Sequence, residues 1–260
     1  MFFAMSSWLL AFLLVVVVFG ATAVGLFAGR RMRASGASLK DPLSTLQAAT
    51  LGIVGLLLAF GLSLAIGRYE DRRAAVVNEA NAIGTTYLRA QTLEEPQRSE
   101  SIALLREYVA AAIVVSNEVP ESDAEERAIA TQEALQRRLW ALAGQALDRA
   151  PVATAPHLYV ETLNEMIDAE SVRVAALNNR VPDTVLVLEI LASVVALALL
   201  AMHLAVLGRG TLPLLLAAGV VTVLLFVTFD LDRPTRGLVT VPDTAYTSLQ
   251  RSMELPPAAE

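Results

Sequence analysis

Two titratable side chains stand inside an otherwise apolar stretch: Glu189 and His203, both within Thr184–Leu207. Ionisable groups are costly in such surroundings and are functional candidates by default. Fourteen residues is close to four helical turns, so on a helix the two share a face about 21 Å apart along the axis. A proton relay is the chemistry that pair suggests. Snorkelling toward the two ends of the run, or internal pairing, is the plainer account. A second candidate is Asp230-Leu231-Asp232-Arg233-Pro234, where two carboxylates offer a weak cation site. Calcium wants six to eight oxygens, and a solvated helix end stopped by Pro234, with Arg233 facing the last carbonyls, explains the same residues. The third is Arg68-Tyr69-Glu70-Asp71-Arg72-Arg73. Arg68 and Arg72 lie one turn apart, and Glu70 can pair with Arg73 at i, i+3. At a pore mouth, Arg68, Arg72 and Arg73 would concentrate anions; at headgroup level beside Tyr69 they would only anchor the chain.

Other chemistry is poorly served. The 260 residues contain no cysteine, which excludes disulfides, thiolate metal sites and cysteine nucleophiles. There are two histidines, His157 beside Pro156 and His203 in the apolar run. No nucleophile–base pair, glycine phosphate loop or His/Glu zinc spacing appears, and Asp230 and Asp232 sit too close together for an intramembrane protease dyad. An enzyme is not expected, and neither a cofactor nor a metal is called for.

The elements that must position these residues are four long apolar runs in two pairs: Trp8–Ala28 with Leu46–Ile66, and Thr184–Leu207 with Thr211–Phe229. Each reaches or approaches the roughly 20 residues an α-helix needs to cross a bilayer. Lipid offers no water to backbone groups, so the runs must be helices. The expected fold is an all-α integral membrane protein, four transmembrane helices in two hairpins with a helical soluble insert between the second and third. The expected segments are 1–67, the first hairpin; 68–182, the insert; 183–230, the second hairpin; and 231–260, a mostly loose tail with Pro242, Pro256 and Pro257. The first run lacks a basic region before it and is too long for a signal peptide, so it reads as a retained anchor.

The insert carries 12 Lys/Arg against 18 Asp/Glu and holds the whole net charge of −6. Nothing there invites nucleic acid. Its apolar residues recur at helical spacing: Ile102, Leu105, Val109, Ala112 and Ile113; then Ala128, Leu135, Leu139, Leu142 and Ala146; then Tyr159, Leu163, Met166, Ile167, Val174 and Leu177. Breaks fall at Pro96, from Pro120 to Asp123, and from Pro151 to Pro156. Ser122 and Glu125 resemble a capping box. Between Ile66 and Gln91 only Gly67 and Gly84 interrupt, so the second span is expected to run on into the insert; Pro182 marks where the last insert helix gives way to the third span. The positive-inside rule is divided: Arg30, Arg31, Arg33 and Lys40 lie on one side, Arg68, Arg72, Arg73, Arg173, Arg180, Arg233 and Arg236 on the other.

The second span has two notable stripes. Gly55, Ala59, Ser63 and Gly67 recur every four residues, with Gly52 before them, a pattern that allows a neighbouring helix to approach closely. Another face carries Ile53, Leu57, Phe60 and Leu64. One reading makes the small stripe a packing face and the larger one an apolar constriction that gates by dewetting; the other buries the whole helix in a monomeric bundle.

Arg68–Arg73, Glu79-Ala80-Asn81-Ala82-Ile83-Gly84-Thr85-Thr86-Tyr87-Leu88-Arg89, Leu163-Asn164-Glu165-Met166-Ile167-Asp168, Arg180-Val181-Pro182 and Asp230–Pro234, in this order, resemble the bestrophin-like domain family, membrane proteins of bacteria and plants. The resemblance covers roughly Leu46 to Arg251 and extends, more remotely, to the bestrophins. It implies a homopentameric anion channel of chloride type with cytosolic termini, in which the second helix lines a hydrophobic neck. Ile53, Leu57, Phe60 and Leu64 would then be neck residues. It also implies a cytoplasmic insert in a bacterial plasma membrane, against the vote of the loop Arg30–Lys40. The neck departs from the bestrophin pattern in offering only Phe60 as an aromatic, and no long acidic run follows the last span, which puts a calcium clasp in doubt. The expected partners are the lipid bilayer, further copies of the chain and inorganic anions. The competing expectation is a membrane-anchored sensor or assembly protein whose helical insert binds a ligand or partner.

Overall fold

The computed structural model describes residues 6–34, 40–119 and 122–255, the side chains of residues 40–42 excepted. Pro120, Pro256, Pro257 and the Lys40 side chain lie outside that range. The described residues form eight helices and no strand: α1 Ser7–Ala34, α2 Lys40–Ala90, α3 Gln97–Asn117, α4 Asp123–Arg149, α5 Thr154–Asn178, α6 Asp183–Leu207, α7 Leu212–Leu231 and α8 Thr244–Glu254. Four segments are long and apolar enough to cross a membrane, within α1, α2, α6 and α7. The chain divides into two compact units, residues 1–69 with 180–240, and residues 70–179 with 241–260. The helix α2 contributes to both.

In the first unit α1 turns one stripe inward, Leu10, Leu14, Val18, Thr22, Gly25 and Gly29, at the i, i+3/i+4 spacing of a single helix face. Its most extensive partner is α6. Bilayer helices gain nothing from hiding apolar surface from lipid, so close backbone approach at small residues decides which faces meet. Gly25 and Gly29 provide it: a β-carbon at Gly25 would run into the Ala198 backbone, and one at Gly29 would meet the Met202 backbone and sit 2.8 Å from Ala205 Cβ. The helix α6 ends where Gly208 takes a left-handed φ of 66°. Its amide bonds Ala205 O at 3.1 Å and the Arg209 amide bonds Leu204 O at 3.1 Å, which stops the helix. After Thr211 as N-cap, a proline in the first turn starts α7.

The second unit has its own core, with Leu105, Tyr108, Val109, Leu139, Tyr159, Leu163 and Met166 almost wholly buried. The three insert stripes read from the sequence supply half of it, and α2 and α8 contribute much of the rest. Ser122 caps α4, its side chain accepting from the Glu125 amide at 3.2 Å.

The tail corrects the expectation of a loose segment. Residues 244–254 form α8, which buries Tyr246 and Met253. The local sequence offers no apolar run because only those two residues turn inward, and distant groups supply the hold. Tyr246 donates to Glu79 at 2.5 Å, while Arg106 Nη2 and the Tyr87 hydroxyl donate to Met253 O at 2.7 and 3.2 Å.

Candidate functional site

The membrane part of α2 buries Val54, Leu58 and Ala65, with Gly61 completing the inward row. Ile53, Leu57, Phe60 and Leu64 each stand one position earlier, hence turned by about 100° from that row. Ile53 is 60% exposed, Phe60 65% and Leu64 37%, with Leu57 half-buried. The small residues Gly55, Ala59, Ser63 and Gly67 are exposed too. A β-carbon at Gly52, Gly55 or Gly67 would meet nothing within 4 Å. The reading in which this chain alone buries the whole helix is thereby corrected: among the described residues α2 keeps an apolar row and a small-residue row largely exposed. Within this span the glycine that makes a close approach is Gly61, which lies outside the stripe Gly55, Ala59, Ser63 and Gly67.

The three arginines part company. Arg73 is exposed and pairs with Glu70 at 3.6 Å, and Arg68 is half-buried. Arg72 is buried; its Nε donates to Ala176 O at 3.3 Å and its Nη2 to Asn179 O at 2.9 Å. These carbonyls belong to the C-terminal end of α5, where a cation is favoured. Arg72 therefore closes a helix and does not present its charge to a pore mouth, which corrects the reading of all three as a set.

Glu189 is 2% exposed, so it does not snorkel, and its two oxygens find no hydrogen-bond partner among the described residues. His203 is half-buried, its Nδ1 equally without one, and no hydrogen bond joins the two. Asp230 Oδ2 accepts from the amides of Leu238 at 2.7 Å and Val239 at 3.0 Å, and Oδ1 from Ser7 at 3.4 Å. Asp232 Oδ1 accepts from the Val181 amide at 3.0 Å. Both carboxylates thus hold backbone at the end of α7, and the described residues contain no group of three acidic, histidine or cysteine ligands suited to a metal ion.

A buried polar cluster in the second unit was not foreseen. Arg173 Nε donates to Glu79 Oε2 in a very short ion pair. Gln132 joins both partners, donating to Glu79 Oε1 at 2.9 Å and accepting from Arg173 Nη2 at 3.1 Å. Tyr246 completes it from α8. Burial works against the Arg173 charge, yet Glu79, Tyr246 and Glu170 around it together outweigh burial and hold the guanidinium above its usual range. Burial, then Glu79, pushes the Tyr246 and Tyr108 phenols up. Burial also raises Glu170, 4.0 Å from Arg173, although the arginine opposes it. The signal lay in the phase: Glu79, Gln132 and Arg173 each fall in step with the buried apolar residues of their own helix. In the same unit, residues 80–91 at the end of α2, with α3 and α8, line an open groove of about 1380 Å³.

Three crystal structures of a bacterial bestrophin homologue from Klebsiella pneumoniae share this fold, two of them forms carrying single substitutions. Their TM-scores are 0.72, 0.71 and 0.73 at 12, 14 and 14% identity, over 93, 93 and 96% of this chain and 96, 96 and 97% of theirs. Among curated proteins none matches the sequence. The family model of the bestrophin-like domain matches residues 8–246. With four helices long and apolar enough to cross a membrane and that match over nearly its whole length, the chain belongs to the bestrophin-like domain family.

Proposed function

We propose that the protein is an oligomeric anion channel of chloride type, with α2 from each copy lining one pore. The observation that carries the reading is the outward row on α2. Ile53, Phe60 and Leu64 are exposed along one helix face while the same helix packs inward through Val54, Leu58 and Ala65. A ring of such rows forms a narrow apolar passage whose wetting controls conduction. The small row, Gly55 to Gly67, gives a neighbouring copy's helix room to approach. Arg68 and Arg73, just beyond the span, raise the local anion concentration at the mouth. A closed ring follows from symmetry, since a heterologous contact that closes gives a finite assembly; five copies is the number that the likeness to bestrophins suggests. The chain then sits in the bacterial plasma membrane with residues 70–179 in the cytoplasm, and no step in this work is catalytic.

The test is chloride flux through liposomes holding the purified, oligomeric protein. Flux is expected, and Phe60→Ala, which widens the passage, is expected to raise it. A folded oligomer that passes no chloride overturns the reading. The groove between α2, α3 and α8 favours a second one, a membrane-anchored sensor or assembly protein that takes its ligand or partner there. Native mass separates the two: a stable monomer favours the sensor, a closed ring the channel.

A further inference from the structure

Gly61 lies in the middle of the inward row of α2, and the carboxyl group of Glu189 from α6 fills the space where its side chain would be. A β-carbon built on Gly61 would overlap Glu189 Oε1 and lie 2.5 Å from Cδ. Among the described residues neither oxygen of Glu189 has a hydrogen-bond partner, and nor has the buried Ser193 hydroxyl one turn along the same helix. The contact is therefore one of shape, with no directional bond in it. That matters because the faces of α2 differ little in polarity. The rows one position to either side of the inward one are apolar as well, Ile53, Leu57, Phe60 and Leu64 on one flank and Gly55, Ala59, Leu62 and Ile66 on the other, each without a charged group. Only at Gly61 is the row cut away deeply enough to admit the long side chain of Glu189; turned by one position either way, Phe60 or Leu62 would meet it instead.

We propose that Glu189 is a positioning residue: seated in the notch at Gly61, it sets the rotation of α2 about its own axis and so decides which row faces away from the bundle. The inference rests on the reading of that outward row as the conduction path, and its test is separable from that reading.

Because the natural chain has no cysteine, an introduced thiol reports alone. Phe60→Cys and Leu58→Cys are made in the full chain, reconstituted in lipid, and their labelling rates compared using one water-soluble and one lipid-partitioning maleimide. With Glu189 present, Phe60→Cys labels much faster than Leu58→Cys. Adding Glu189→Ala is expected to erase most of that contrast, and Glu189→Gln, which keeps the volume, to preserve it. Glu189→Ala combined with Gly61→Leu, which fills the notch from the other side, is expected to restore it. Should Glu189→Ala not fold, Glu189→Asp, shorter by one methylene, is read in the same way. A contrast unchanged by Glu189→Ala or Glu189→Asp, or lost equally in Glu189→Gln, overturns the proposal. If Phe60→Cys reacts only with the lipid-partitioning reagent, the channel reading fails while the positioning role is still judged from the contrast with that reagent.

Discussion

Charge inside the second unit is tolerated because the two opposite charges are bonded to each other, although Arg173 Nη1 finds no hydrogen-bond partner among the described residues. Arg173 and Glu79 are both fully buried and bonded to each other, and Gln132 bridges them. Removing one partner of such a pair strands a charge, at a cost of about 3–5 kcal/mol, whereas an apolar replacement of the whole set can be nearly neutral. Arg173→Ala should therefore lower thermal stability severely or abolish the folded protein, judged by the thermal midpoint in detergent. Tyr246→Phe, which removes only a hydroxyl donor, should cost about 1–3 kcal/mol. Glu170 behaves differently. Burial, opposed by Arg173, holds its carboxyl above the ordinary carboxylate range. A folded-state value above the unfolded one means stability present below that range and lost as pH rises through the folded value. Glu170→Gln removes the group that ionises. Its thermal midpoint should exceed that of the natural protein near neutrality, and the difference should shrink on acidification. A difference that instead grew toward acid pH would refute this assignment.

At the scale of helices, the stripes of small residues make opposite predictions. Gly25→Leu drives a side chain into the backbone of α6 at Ala198 and should destabilise the first unit by about 1–3 kcal/mol or more. A β-carbon at Gly55 meets nothing within 4 Å among the described residues, so with Gly55→Leu each copy should fold normally while the assembly falls to smaller species, both read by native mass and thermal melting. An unaltered assembly would remove the small row from any interface. The contrast explains how much was legible beforehand. Four spans and three insert stripes could be read because hydropathy separates lipid from water and helical period separates core from solvent. Which face of α2 turns inward could not be read so, since Val54, Leu58 and Ala65 are no more apolar than Ile53, Leu57 and Phe60. The choice falls to shape, at Gly61 and Glu189, and shape between helices leaves no trace in composition. Arg72 was misjudged for a related reason: its partners are the carbonyls of Ala176 and Asn179, backbone groups more than a hundred residues away that have no side-chain signature. In α8 eleven residues are held by two buried side chains, too few to mark a helix by period.

For the molecule as a whole the sequence offers two conflicting votes on orientation, and a topological experiment decides between them. The end of α1 and the start of α2 carry Arg30, Arg31, Arg33 and Lys40 around the short loop that joins them, but the acidic insert has its own arginines close to the membrane ends of α2 and α6. The rule that basic loops stay inside is strongest for short loops, and long inserts obey it poorly. On that rule alone the short loop would be cytoplasmic and the insert outside. The likeness to bestrophins implies the reverse. With an even number of spans the turn between α6 and α7 lies on the side of the short loop, so one labelling pair answers the question. Glu126→Cys is exposed on α4 and Gly210→Cys is exposed in the α6–α7 turn, and the natural chain adds no thiol of its own. In intact cells treated with a membrane-impermeant maleimide, Gly210→Cys should label and Glu126→Cys should not until the cells are opened. The opposite pattern would set the insert outside, remove the cytoplasmic assignment, and turn the groove lined by α2, α3 and α8 toward extracellular ligands.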